Sequence, residues 1–206
     1  IPLVATLVTG GLMYALLGKP LAAITTGLTT ALSGMTGGSI VVLGLVLGLM
    51  MCFDLGGPVN KAAYLFATAG LAQNTDASFM IMAAVMAAGM VPPLALALAT
   101  TVRKKLFTEP EIENGRAAWL LGASFISEGA IPFAAVDPFR VLPASMIGSA
   151  ATGALIMAFD ASLQAPHGGI WVLPLIGNPL GFLAAVVIGT AVSAVVVIAL
   201  KKIGRN

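Results

Sequence analysis

Long apolar runs, broken at a few points by glycine, proline and isolated polar side chains, set the pattern of this chain. The windows 1–17, 40–53, 79–101, 141–159 and 180–200 are built almost wholly of Leu, Ile, Val, Ala, Gly and Met, and roughly 20 such residues carry a helix across a bilayer. None alternates polar and apolar positions as a barrel strand would, so the pattern predicts helices. Residues 21–32 are apolar but rich in Thr and Gly, which predicts an interfacial or internal segment, and 33–39 reads as a turn. Gly44 and Gly48 place small residues four apart, as do Ser145, Ser149 and Gly153, the spacing that lets two helices approach closely.

Two further apolar windows, 117–127 and 169–176, are too short to cross, and each borders Gly, Pro and an ionisable residue. They predict re-entrant hairpins or broken helices, which survive at membrane depth only when buried in protein or lining a cavity. A polar break at 54–61 leads into a short helix at 62–72, which 73–76 ends, and Pro92–Pro93 predict a bend in the window 79–101. No internal repeat is visible. The reading is an all-α polytopic bundle with broken helices at its centre, the arrangement expected around a transporter's midplane site.

Composition places the bundle in a membrane. With 59% hydrophobic and 9% charged residues and a mean hydropathy of +1.03, the chain lacks the polar surface to cover a soluble globule. A net charge of +2 spread over a few loops gives no sign of nucleic-acid binding. The single cysteine, Cys52, excludes an intrachain disulfide and reads as a packing residue. The hydrophilic stretch 103–116 and the basic terminus at 201–205 both face the cytoplasm by the positive-inside rule, so an even number of crossings separates them. The chain opens inside an apolar run, with neither an initiator Met nor a signal sequence, and reads as a piece of a longer protein.

Three segments combine helix breakers with polar side chains. In 54–61, Gly56, Gly57 and Pro58 unwind the helix and free Asn60 to donate and accept hydrogen bonds, or they form a tight turn with Lys61 reaching the interface. In 128–140, Glu128 stands among apolar residues with no basic neighbour within a helical turn, whereas Asp137 and Arg140 suit a structural ion pair. An ionised group in hydrocarbon is costly and points to a pathway or ligand, which makes Glu128 the one credible buried acid. In 164–169, the only histidine, His167, lies between Pro166 and two glycines, and is read equally as a structural or a functional group. The neighbourhood offers no metal-ligand set, and no nucleotide loop or cofactor motif is present.

Together these segments, DLGGPVNKAA at 54–63, ISEGAIPFAA at 126–135 with Asp137–Pro138, and APHGG at 165–169, resemble the membrane (IIC) component of the fructose-type phosphoenolpyruvate-dependent sugar phosphotransferase system. The resemblance follows the whole chain in order and corresponds to the carboxyl-terminal part of such units. It implies residues 1–53 as partial scaffold helices and 54–206 as the substrate-binding and transport region. It also implies a bacterial inner-membrane protein that binds fructose or a similar hexose and carries it across by an elevator-like movement. A phosphocysteine on a cytoplasmic IIB domain then phosphorylates the sugar, and the full-length units form dimers. Glu128 matches the family's sugar-binding Glu and is expected to hold hydroxyls and accept the attacking hydroxyl's proton. His167 is its expected hydrogen-bonding or proton-relay companion, and Asn60, Gly57 and Gly129 are further expected substrate-binding positions. Cys52 does not match the phosphorylated cysteine. The competing readings are a secondary transporter or channel without phosphorylation, which would need paired carboxylates, and a truncated bundle that binds nothing.

Overall fold

The computed structural model describes residues 3–16 and 38–203. They belong to two compact units, Ile1–Met35 and Thr36–Asn206. The first holds one described helix, α1 (Leu3–Leu16). The second holds α2 (Gly38–Phe53), α3 (Pro58–Leu71), α4 (Asp76–Val102), α5 (Glu109–Ala123), α6 (Ile131–Val136), α7 (Pro138–Ala158) and α8 (Pro179–Ile203). The segment expected at 21–32, and most of the turn expected at 33–39, lie outside the described residues.

The chain is all-α, and among the described residues α4, α7 and α8 are long and apolar enough to cross a membrane. Helix α4 is the centre of its unit. It starts at a capping box, in which Thr75 Oγ1 accepts from the Ser78 amide and Ser78 Oγ accepts from the Thr75 amide, both at 3.2 Å. It continues through Pro92 and Pro93, and 89% of its most apolar 18-residue window is buried. A helix apolar on every side suits a protein core or a lipid bilayer, and here α2, α3, α5, α7 and α8 all pack on it.

Glycines set the closest approaches. Helix α2 runs antiparallel to α7, with Gly44 against Gly153 and Gly48 against Ser149. A Cβ on Gly48 would fall 2.8 Å from Cα of Ala150, and one on Gly148 of α7 would fall 2.5 Å from the Gly189 carbonyl of α8. Lipid tails are as apolar as leucine, so such backbone-to-backbone packing, not exclusion of water, joins helices in a bilayer. Cys52, fully buried, donates to Ser149 Oγ at 2.8 Å, and Ser149 donates to the Ala88 carbonyl at 2.9 Å, which ties α2, α7 and α4 together.

One end of the unit is charged. Lys201 Nζ donates to Glu111 Oε1 at 2.9 Å and lies 3.4 Å from Asp137 Oδ2. Arg140 pairs with the same Asp137 oxygen at 3.1 Å, the structural ion pair expected from the sequence, and also donates to the Leu200 carbonyl. The cluster brings the starts of α5 and α7 and the end of α8 to one end of the bundle, with α7 and α8 as two long helices between the basic segments. The hydrophilic stretch 103–116 is for the most part helix. Thr108 and Glu111 form a capping box, the Thr108 amide donating to Glu111 Oε2 at 2.8 Å, and α5 begins there. A carboxylate that caps a helix and meets a lysine 90 residues away is fully partnered and can be buried.

Candidate functional site

Three interruptions of the helices meet beside the middle of α4. The first is a hairpin. Helix α5 leaves the charged end and runs antiparallel along α4, with Gly115 against Thr100 and Gly122 against Leu94. The helix stops at Ser124, and Phe125 takes a left-handed φ of 63°. A 3-10 turn at Ser127–Ala130 and α6 then bring the chain back to Asp137, at the end from which it started. Gly89 makes the tip fit, because a Cβ there would strike the Phe125 ring. Gly129 serves similarly, with Leu121 and Pro93 at 3.0 and 3.2 Å from where its Cβ would be. The short window 117–127 is therefore re-entrant.

The second interruption joins α7 to α8 at the opposite end. Strands β1 (Ser162–Leu163) and β2 (Ile176–Gly177) pair antiparallel, and the chain between them turns inward. Gly169, at a φ of 61°, lies so close to the Ala123 carbonyl that no side chain fits, and its amide donates to Met86 Sδ at 3.3 Å. Trp171 Nε1 donates to Ser124 Oγ at 2.9 Å, and the His167 ring centroid lies 5.1 Å from that of Phe125. The two inward excursions thus touch tip to tip.

The third interruption separates α2 from α3. Leu55 and Gly56 both have positive φ, 46° and 107°, which turns the chain sharply after Asp54. The Asp54 carboxylate accepts from the amides of Val59 at 2.7 Å and Asn60 at 2.9 Å, capping α3 where the helix dipole favours a negative charge. Gly57 leaves room for this carboxylate, since a Cβ would fall 2.6 Å from Asp54 Oδ2. Asn60, only 1% exposed, donates from Nδ2 to the Met51 carbonyl, one of those the end of α2 leaves without a helical partner.

These interruptions border a cavity of about 100 Å³. Asn60, Lys61 and Tyr64 line it from α3, Phe125, Ser127 and Glu128 from the α5–α6 hairpin, and His167 from the inner loop, with Met51 at its edge. Glu128, His167 and Asn60, named from sequence, are brought together. Gly57 and Gly129 are not among the lining residues and shape the backbone behind it. Sequence reading passed over Tyr64, Ser127 and Phe125. Tyr64 could have been found, because it lies four residues after Asn60 on the same face of α3.

The charges differ from expectation. Glu128 is not a buried, unaccompanied acid. Its side chain is 44% exposed, and Lys61 Nζ lies 3.2 Å from its Oε1, a basic partner 67 residues away in sequence. The buried acid is Glu111, at 3% exposure. Neither member of the Lys61–Glu128 pair is enclosed by protein, which leaves room for another partner beside each. Glu128 Oε2 makes no hydrogen bond among the described residues, and a carboxylate there accepts hydroxyl donors readily. Among the described residues no three His, Cys, Asp or Glu side chains gather as a metal site requires.

Known proteins match the chain closely. It is 55% identical over 205 residues to the "PTS system fructose-specific EIIB'BC component" of Rhodobacter capsulatus, covering 98% of this chain and 35% of that one. It is 45% identical over 202 residues to the "PTS system fructose-specific EIIC component" of Haloferax volcanii, covering 98% and 53%. The "Fructose-like permease IIC component 2" of Escherichia coli is 45% identical over 207 residues, covering 100% and 56%. The chain thus spans between about a third and just over half of these relatives' lengths. No family model matches the chain, and no solved structure matches it significantly.

Proposed function

The chain matches the fructose-type IIC component of the phosphoenolpyruvate-dependent sugar phosphotransferase system, and from that premise we propose that its central cavity holds fructose or a similar hexose for phosphorylation during uptake. The observation that carries this reading is the meeting of Glu128, His167 and Asn60, from three separate interruptions, around one cavity. Such a meeting supplies what sugar binding needs, several convergent polar groups against an aromatic wall, here Phe125 and Tyr64.

In this reading Glu128 accepts hydroxyls of the sugar and takes the proton of the attacking one. That hydroxyl oxygen forms its bond to phosphorus as the bond from phosphorus to a IIB cysteine sulfur breaks, and the sulfur leaves as thiolate. Positioning and charge stabilisation account for most of such a transfer, so the donor can lie on a separate domain. His167 holds a hydroxyl or relays the proton. Asn60 spends one Nδ2 hydrogen on the Met51 carbonyl, so it offers its carbonyl oxygen and its second Nδ2 hydrogen. At about 100 Å³ the cavity is well below the roughly 300–1,000 Å³ of ordinary ligand sites, so sugar binding widens it. Movement of one hairpin tip relative to α3 provides that room and fits an elevator-like transport cycle.

The charged end, with 103–116 and the end of α8, is assigned to the cytoplasm of a bacterial inner membrane, where IIB approaches. The relatives whose names join B and C components support that partner. Residues 54–206 form the substrate region in this assignment, residues 1–53 contribute scaffold, and the full-length protein dimerises. The reading is tested by phosphorylation of labelled fructose in vesicles of the full-length protein with phosphorylated IIB. Glu128→Gln should reduce the rate by at least about 100-fold, the usual contribution of a general base, while inserting normally; an unaltered rate would remove Glu128 from the chemistry.

A further inference from the structure

The proposed chemistry leaves one charged group of the cavity without a task, the Lys61 ammonium. It is the one Lys or Arg that lines the cavity among the described residues, and it sits 3.2 Å from Glu128 Oε1. On another side of the same oxygen is the backbone of Gly56, so Oε1 is flanked on two sides. A sugar hydroxyl that donates to the Glu128 carboxylate competes with the ammonium for its negative charge. After the transfer the sugar carries a dianionic phosphate close to the Glu128 carboxylate, and a lone carboxylate would repel both the transferring group and the product.

Lys61 is placed to answer both conditions. It is the fourth residue of α3, whose first turn is fixed by Asp54 and Asn60, so its Cα is held while its four-carbon stem turns freely. Its side chain is 51% exposed, and Glu128 is its ion-pair partner. We propose that Lys61 is a further catalytic residue with two alternating partners: the Glu128 carboxylate, and the oxygens of the transferring phosphoryl group when sugar is bound. The ammonium stays protonated throughout and takes no part in the bond exchange; it neutralises charge that develops on phosphoryl oxygens. This rests on the assignment of the cavity as the sugar site.

The two roles act in opposite directions on measurable constants, which a merely structural ion pair would not do. In the full-length protein in nanodiscs, Lys61→Met removes the competitor for Glu128, so fructose should bind about three- to tenfold more tightly. The same variant loses the cation, so kcat for transfer from phosphorylated IIB should fall about 100-fold. Lys61→Gln keeps a hydrogen-bond donor without the charge, and should show the loss in kcat without the gain in binding. Lys61→Arg should recover most of kcat. Parallel weakening of binding and turnover in Lys61→Met, or an unchanged kcat in Lys61→Gln, would overturn the proposal. Failure of the wild type to bind fructose, or unaltered binding by Glu128→Gln, would instead overturn the assignment of the site.

Discussion

Glu128 Oε1 lies against Gly56 so closely that a Cβ on Gly56 would fall 2.7 Å from it. The residues are 72 positions apart in sequence, and their contact is where the break after α2 meets the re-entrant hairpin. It makes the position of the carboxylate depend on a glycine that also carries a φ of 107°.

Gly56→Ala should therefore fail twice, through a backbone conformation costing about 1–3 kcal/mol for a residue with a side chain and through displacement of Glu128. Thermal unfolding in detergent should show a modest loss of stability, whereas fructose phosphorylation should drop by at least tenfold. Full activity would mean that the Glu128 carboxylate is not held by this contact.

Gly48→Leu should separate α2 from α7, because the new side chain meets Ser149 and Ala150 backbone atoms. Overpacking of this kind costs about 1–3 kcal/mol. The cost should appear as a lower unfolding temperature and as loss of the Cys52–Ser149 contact, detectable as faster labelling of Cys52 by a maleimide. Unchanged labelling would contradict the close α2–α7 packing.

The ion cluster at the charged end gives a third expectation. Lys201 and Glu111 side chains are only 9% and 4% exposed, so Glu111→Ala leaves a buried ammonium sharing Asp137 with Arg140, and removal of one partner of a buried pair costs about 3–5 kcal/mol. Glu111→Leu combined with Lys201→Met should restore much of that stability. Equal instability in the double variant would mean that the helix cap at Thr108 dominates the role of Glu111.

The breaks were legible in the sequence because glycine, proline and polar residues stand out against apolar runs. Windows 40–53, 79–101, 141–159 and 180–200 became α2, α4, α7 and α8 within a few residues at each end. The convergence of Asn60, Glu128 and His167 was reachable from the resemblance alone, since nothing in local spacing joins residues so far apart. The partner of Glu128 was missed for the same reason. A search within one helical turn cannot find Lys61, and so an exposed, paired acid was read as a buried one. Glu111 was overlooked because a hydrophilic stretch suggests solvent, although its Thr108–Glu111 spacing is a helix-start signal that could have been read.

Sugar binding by Glu128, in the cavity between the interrupted helices, underlies everything proposed for this protein. Titration calorimetry of fructose into the purified full-length protein in nanodiscs, wild type beside Glu128→Gln and with Glu113→Gln as an exposed control at the charged end, tests it most directly. Wild type should bind saturably, Glu128→Gln should abolish that binding, and Glu113→Gln should preserve it. Equal fructose affinity in all three proteins would contradict sugar binding by Glu128.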